Sequence, residues 1–88
     1  MRTAEAAKAE VLMEHIERKL LEVLEEAIKL EREAAERYRH ARELSSQEEV
    51  KEMFERLAQE EEVHERILKE RYAQIKKRLG LKIMKDDV

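Results

Sequence analysis

The sequence predicts an all-α fold in which two long helices form an antiparallel hairpin, and two hairpins pair into a four-helix bundle. Three observations carry this prediction. No proline occurs and the only glycine is Gly80, so strands joined by tight turns have nothing to turn on. Charged residues make up 47% of the chain, with Glu, Lys and Arg set among Ala and Leu, a balance suited to long helices. Apolar residues recur at helical spacing in two runs separated by one short polar stretch. A chain of 88 residues is expected to form one domain, residues 1–88. Two amphipathic helices enclose little core of their own, so self-association as a homodimer is the economical solution.

The first run is Leu20, Leu24, Ala27, Ala34, Tyr38 and Ala41. Thr3 is placed to cap its start, giving a helix over about 3–44, ~60 Å long at 1.5 Å per residue. Between the runs lies Leu44-Ser45-Ser46-Gln47-Glu48-Glu49. Ser46 with Glu49, or Ser45 with Glu48, has the spacing of a capping box. The second run is Val50, Phe54, Leu57, Leu68, Tyr72, Ile75 and Leu79, predicting a helix over about 47–79. Gly80 follows Lys76, Lys77 and Arg78. It is expected to cap that helix, with the basic residues at the negative end of its dipole. Residues 80–88 are then a short tail without a clear period. A connection this short makes the helices antiparallel.

Several function classes are disfavoured at once. The net charge is −3 with both signs interspersed, so no basic surface for nucleic acid is expected. There is no cysteine, which removes disulfides, thiolate zinc sites and iron–sulfur ligation. No apolar run approaches the ~18 residues of a membrane span. Met1 to Glu10 lack the apolar core of a signal peptide, so a cytoplasmic location is the expectation.

The two stripes are interrupted in a specific way. Between Ala27 and Ala34 the face position is Glu31; between Leu57 and Leu68 the face positions are Glu61 and His64. Ionisable groups there are costly to bury without partners. Glu31 stands roughly 21 Å before the connection and Glu61 roughly 23 Å after it at the helical rise, so all three reach one level of the hairpin. One chain offers two carboxylates and one imidazole. Two chains offer a Glu from each of two helices and a Glu-x-x-His pair from each of the other two, the ligand set of di-iron carboxylate bundles. Donors of oxygen and nitrogen without sulfur suit iron, with manganese or zinc as alternatives. The competing reading is a coiled coil whose polar core residues fix register and partner.

The stretch from Ala27 to Tyr38, with Glu31 seven residues before Tyr38, resembles the first metal helix of rubrerythrin-type ferritin-like proteins. The stretch from Phe54 to His64, with Leu57-Ala58-Gln59-Glu60-Glu61-Glu62-Val63-His64, resembles the second. Such proteins carry this helix pair twice; here it occurs once, as in the encapsulated-ferritin branch. That resemblance implies oxidation of Fe(II) by dioxygen or peroxide at a ferroxidase site between two chains. It implies Glu31, Glu61 and His64 as catalytic metal ligands, Tyr38 as their second-rank neighbour, ring-like assembly, and an encapsulin shell as partner. The rubredoxin-like centre of rubrerythrins has no counterpart here, because cysteine is absent. The alternatives are a metal-binding module without turnover and a structural oligomerisation hairpin. Glu33, Glu36, Glu60, Glu62 and Glu65 are expected on solvated surface. His15 and His40 are expected at surfaces or interfaces.

Overall fold

A computed structural model describes residues 3–86, with side chains described as far as Leu81. Among the described residues there are two helices and no strand: α1, Ala4–Leu44, and α2, Glu48–Asp86. They lie antiparallel in a rod of 69 × 17 × 14 Å. Thr3 adopts an extended backbone and its hydroxyl oxygen accepts from the Ala6 N–H at 3.1 Å, satisfying one of the donors that a helix start leaves unpaired.

The connection differs from the expected capping box. Ser45 caps the end of α1, its N–H donating to the Arg42 carbonyl at 3.2 Å. The Ser45 hydroxyl also accepts from the Gln47 N–H at 3.2 Å. The Gln47 carbonyl accepts from the Lys51 N–H at 3.0 Å, so α2 departs from Gln47 and Ser46 lies one residue too early to cap it. The serine at the α1 end makes a local turn with its own backbone neighbours, a known competitor of capping.

The far end of α2 also differs. Gly80 does not stop the helix, which continues to Asp86, so the expected tail over 80–88 is helical as far as it is described. A glycine stops a helix by adopting positive φ, and Gly80 does not. Its neighbour Leu79 is buried and holds the segment down. A Cβ at Gly80 would meet nothing within 4 Å. Gly80→Ala should therefore raise stability by about 0.5–1 kcal/mol through helix propensity alone, read as a higher urea midpoint at unchanged slope. A loss of stability would mean that the end of α2 needs glycine's freedom.

The residues of α1 turned toward α2 are Leu21, Leu24, Ile28, Glu31, Ala35 and Tyr38. This seam is rotated slightly from the stripe read in the sequence, because α1 carries two adjacent apolar stripes and the sequence reading ran between them. The second contains Met13, Ile16, Leu20, Val23 and Leu30, all exposed. On α2 the seam is closer to expectation: Val50, Phe54, Leu57, Leu68, Tyr72 and Ile75 are half-buried and Leu79 is buried. Among the described residues the most deeply covered position is Ala58, at 0% exposure, followed by Leu79 and Ala35. Ala35 and Ala58 sit at matching levels of the hairpin, so small side chains let the helices approach closely just beside Glu31 and Glu61.

Polar contacts stitch the helices together along one edge. Arg32 donates to Glu65 at 3.0 Å, Arg39 pairs with Glu62 and Arg42 with Glu55. The Tyr72 hydroxyl donates to Glu25 at 2.7 Å, which holds the phenol above its usual 10.0. Exposed pairs of this kind contribute little stability each; their effect is to fix the register of one helix against the other.

Candidate metal centre

Three donor groups converge from the two helices. Glu31 reaches the seam from α1; Glu61 and His64, one turn apart on α2, reach the same point. Ligand atoms of the three lie within 4.8 Å of one another. His64 Nδ1 is 3.5 Å from Glu31 Oε2 and 3.7 Å from Glu61 Oε2. The carboxylates are largely covered, at 25% and 20% side-chain exposure, whereas the imidazole is 55% exposed. His64 thus faces outward, on the edge away from Glu62 and beside the uncovered stripe of α1.

The cluster is short of partners. Glu31 Oε2 is buried and accepts no hydrogen bond; His64 Nδ1, at 3.5 Å, is too distant to serve well. Among the described residues, no lysine or arginine lies within ion-pair distance of Glu31 or Glu61. The nearby guanidiniums are engaged by other carboxylates: Arg32 by Glu65, Arg39 by Glu62 and Glu55. Lys69 and Arg32 beside Glu65 hold its carboxyl below the usual carboxylate range. A buried carboxylate oxygen without a donor is uncommon and calls for a missing partner. Two carboxylates and an imidazole converging there fit a divalent cation with a preference for oxygen and nitrogen ligands.

Glu65 and Glu62 are not the bare surface groups that the sequence reading expected. Glu65 is half-buried, and both pair with arginines of α1. The signal was available: Ala58, Glu61, Glu65, Leu68 and Tyr72 step by three and four, which puts Glu65 on the seam. Arg32 and Arg39, seven residues apart, carry no motif in the sequence and reach the same edge. They line a groove with Glu31, Glu36, Glu61, Glu62 and Glu65. Tyr38 stacks on Phe54 with ring centroids 6.3 Å apart. It stands two turns from Glu31 toward the connection, about 10 Å along the helix.

A helical hairpin presenting a Glu from one helix and a Glu-x-x-His pair from the other is the working unit of the ferritin-like class. The sequence model of the Rubrerythrin family matches residues 22–88, more than half of the chain, and the chain belongs to that family. The family typically binds iron. No curated protein and no solved structure matches significantly. No helix among the described residues is long and apolar enough to cross a membrane.

Proposed function

We propose that two copies of this hairpin bind a pair of Fe(II) ions as substrate between them and oxidise them, with Glu31, Glu61 and His64 of each copy as the ligands. The observation that carries the reading is the convergence of these three groups around a buried Glu31 oxygen that lacks any donor. One hairpin supplies too few ligands for two metal ions. Two supply four carboxylates and two imidazoles, and the four negative charges offset those of two divalent ions.

The protein's part is to hold and to neutralise. The covered carboxylates stabilise the higher charge of Fe(III) more strongly than that of Fe(II), which favours the oxidised product. The outward imidazole leaves room beside it for an oxidant. Each Fe(II) releases one electron, so the pair reduces dioxygen with two protons to hydrogen peroxide, or peroxide with two protons to water. Tyr38 is assigned a supporting role near the ligands on the resemblance alone. Ring-like assembly and packaging in an encapsulin shell belong to the same proposal and rest on the same ground.

An anaerobic titration tests it. Fe(II) binding should saturate at about two ions per dimer, and admission of oxygen should produce ferric absorbance faster than buffer does. Saturable binding of Fe(II), manganese or zinc with no oxidation above buffer would leave a binding module without turnover. Absence of saturable binding of any of these would leave a structural hairpin.

A further inference from the structure

This chain exposes more surface than a globular chain of its mass. Its accessible area is 7255 Å², whereas a folded chain of 10.6 kDa is expected to expose about 5,500 Å². The excess is roughly 1,800 Å² per chain, so a pair of chains carries an excess in the range that permanent dimers bury. The exposed apolar residues are where such a surface would be lost. On α1 the uncovered stripe is Met13, Ile16, Leu20, Val23 and Leu30, with Leu44 at its end; the half-covered Ala27, Ala34 and Ala41 fill the positions between. Together their steps alternate three and four, the spacing of a helix packed lengthwise on another helix.

We infer that this stripe is the seam on which a second copy docks, α1 against α1 in antiparallel orientation, with the two-fold axis passing between Ala27 and Leu30. The inference rests on the two-hairpin reading of the metal centre and supplies its missing geometry. Side-chain size sets the orientation and the register. Antiparallel pairing in this register puts Ile16 opposite Ala41 of the second copy, Val23 opposite Ala34, and Leu30 opposite Ala27. Every such layer matches one large side chain with one alanine, as close packing requires. Met13 then meets Leu44, which at 74% exposure is the most exposed large apolar side chain among the described residues. Leu20 lies along the aliphatic stem of Arg37. Parallel pairing would stack alanine on alanine and leucine on leucine, leaving gaps and bulges in alternate layers.

The axis found from packing alone falls at the metal ligands. Its level is about 4 Å along α1 from Glu31 at the helical rise. The two sets of ligands are then brought to one place by a seam that contains none of them. His64, exposed on the same edge, turns toward the second copy.

The chain has no cysteine, so engineered cysteines report the seam without interference. Ile16 and Ala41 are about 37 Å apart on one helix, too far to bridge within a chain. The Ile16→Cys, Ala41→Cys double variant should be linked between chains by a short bis-maleimide. Each single variant alone should stay unlinked, and a mixture of the two singles should link. A single variant that links to itself, or a double variant that never links, overturns the proposed seam. Independently, Val23→Glu with Leu30→Glu, both at exposed positions of the hairpin, should weaken dimerisation by about 100-fold or more, with helicity by circular dichroism retained. An unchanged dimer would also overturn it. The metal reading fails separately: linkage without iron binding leaves the seam standing, and oxidation at two irons per dimer without the 16–41 link leaves the metal centre standing.

Discussion

Replacing Glu31 with leucine should make the metal-free protein harder to unfold while abolishing its response to Fe(II). In the wild type, Glu31 Oε2 is buried with no hydrogen bond, and the groups converging on it from α2 are Glu61 and His64. A buried polar atom without a partner costs about 1–3 kcal/mol. The Glu31 side chain is a quarter exposed, so the lower end applies, and the variant should gain about 1 kcal/mol per site. A leucine there also continues the apolar seam of Ile28, Ala35 and Tyr38. With Fe(II) in hundredfold excess over its dissociation constant, the wild type should gain about 2.7 kcal/mol per site; the variant should gain nothing. Thermal unfolding under nitrogen, with and without Fe(II), measures both arms. A variant less stable than wild type without metal, and still stabilised by Fe(II), would show Glu31 to be a structural residue and not a ligand.

Enlarging Ala58 should cost far more stability than enlarging an exposed alanine of the same helix. Ala58 is fully covered and stands level with Ala35 on the facing helix, so there is no space for three added carbons. Inserting a larger side chain into a packed seam costs typically about 1–3 kcal/mol. Ala58→Leu should lower the denaturation midpoint accordingly. The effect on the site should follow from the same displacement. Glu61 is three residues along α2, so helices held apart at Ala58 hold Glu61 away from Glu31, and affinity for Fe(II) should fall at least about tenfold. Ala73→Leu makes a suitable control, because Ala73 is exposed on the same helix. Equal stability of the two variants would mean that the close approach at Ala35 and Ala58 does not matter.

Much of the architecture was legible from residues because nothing in the composition competes with helix. The absence of proline and the scarcity of glycine left α1 and α2 no place to break except the Ser45–Gln47 connection. Glu31, Glu61 and His64 stood out because each interrupts an apolar period at one level of the hairpin. The structure brings their ligand atoms within 4.8 Å. What was not legible depends on rotation about the helix axis. Two adjacent stripes on α1, each with steps of three and four, blur into one broad face when read as a period. The division between seam and uncovered surface therefore emerges only once α2 is in place. Glu65 was misjudged for the same reason. Gly80 was misjudged because a local rule for stopping helices gave way to the burial of Leu79 beside it.

The distribution of ion pairs has a mechanical consequence. Glu25, Arg32 and Arg39 follow one another at intervals of seven on α1, and their partners Tyr72, Glu65 and Glu62 answer them from α2. These latches all lie on the edge of the hairpin away from the uncovered stripe and from His64. The molecule is bound like a book, sewn along its spine and open at the fore-edge. A slight rotation of the two helices about the sewn edge would change the gap between Glu31 and Glu61 more than it would stretch the latches. If Glu31, Glu61 and His64 take an ion as proposed, their fit to it can be adjusted at the open edge while the register of the helices stays as it was.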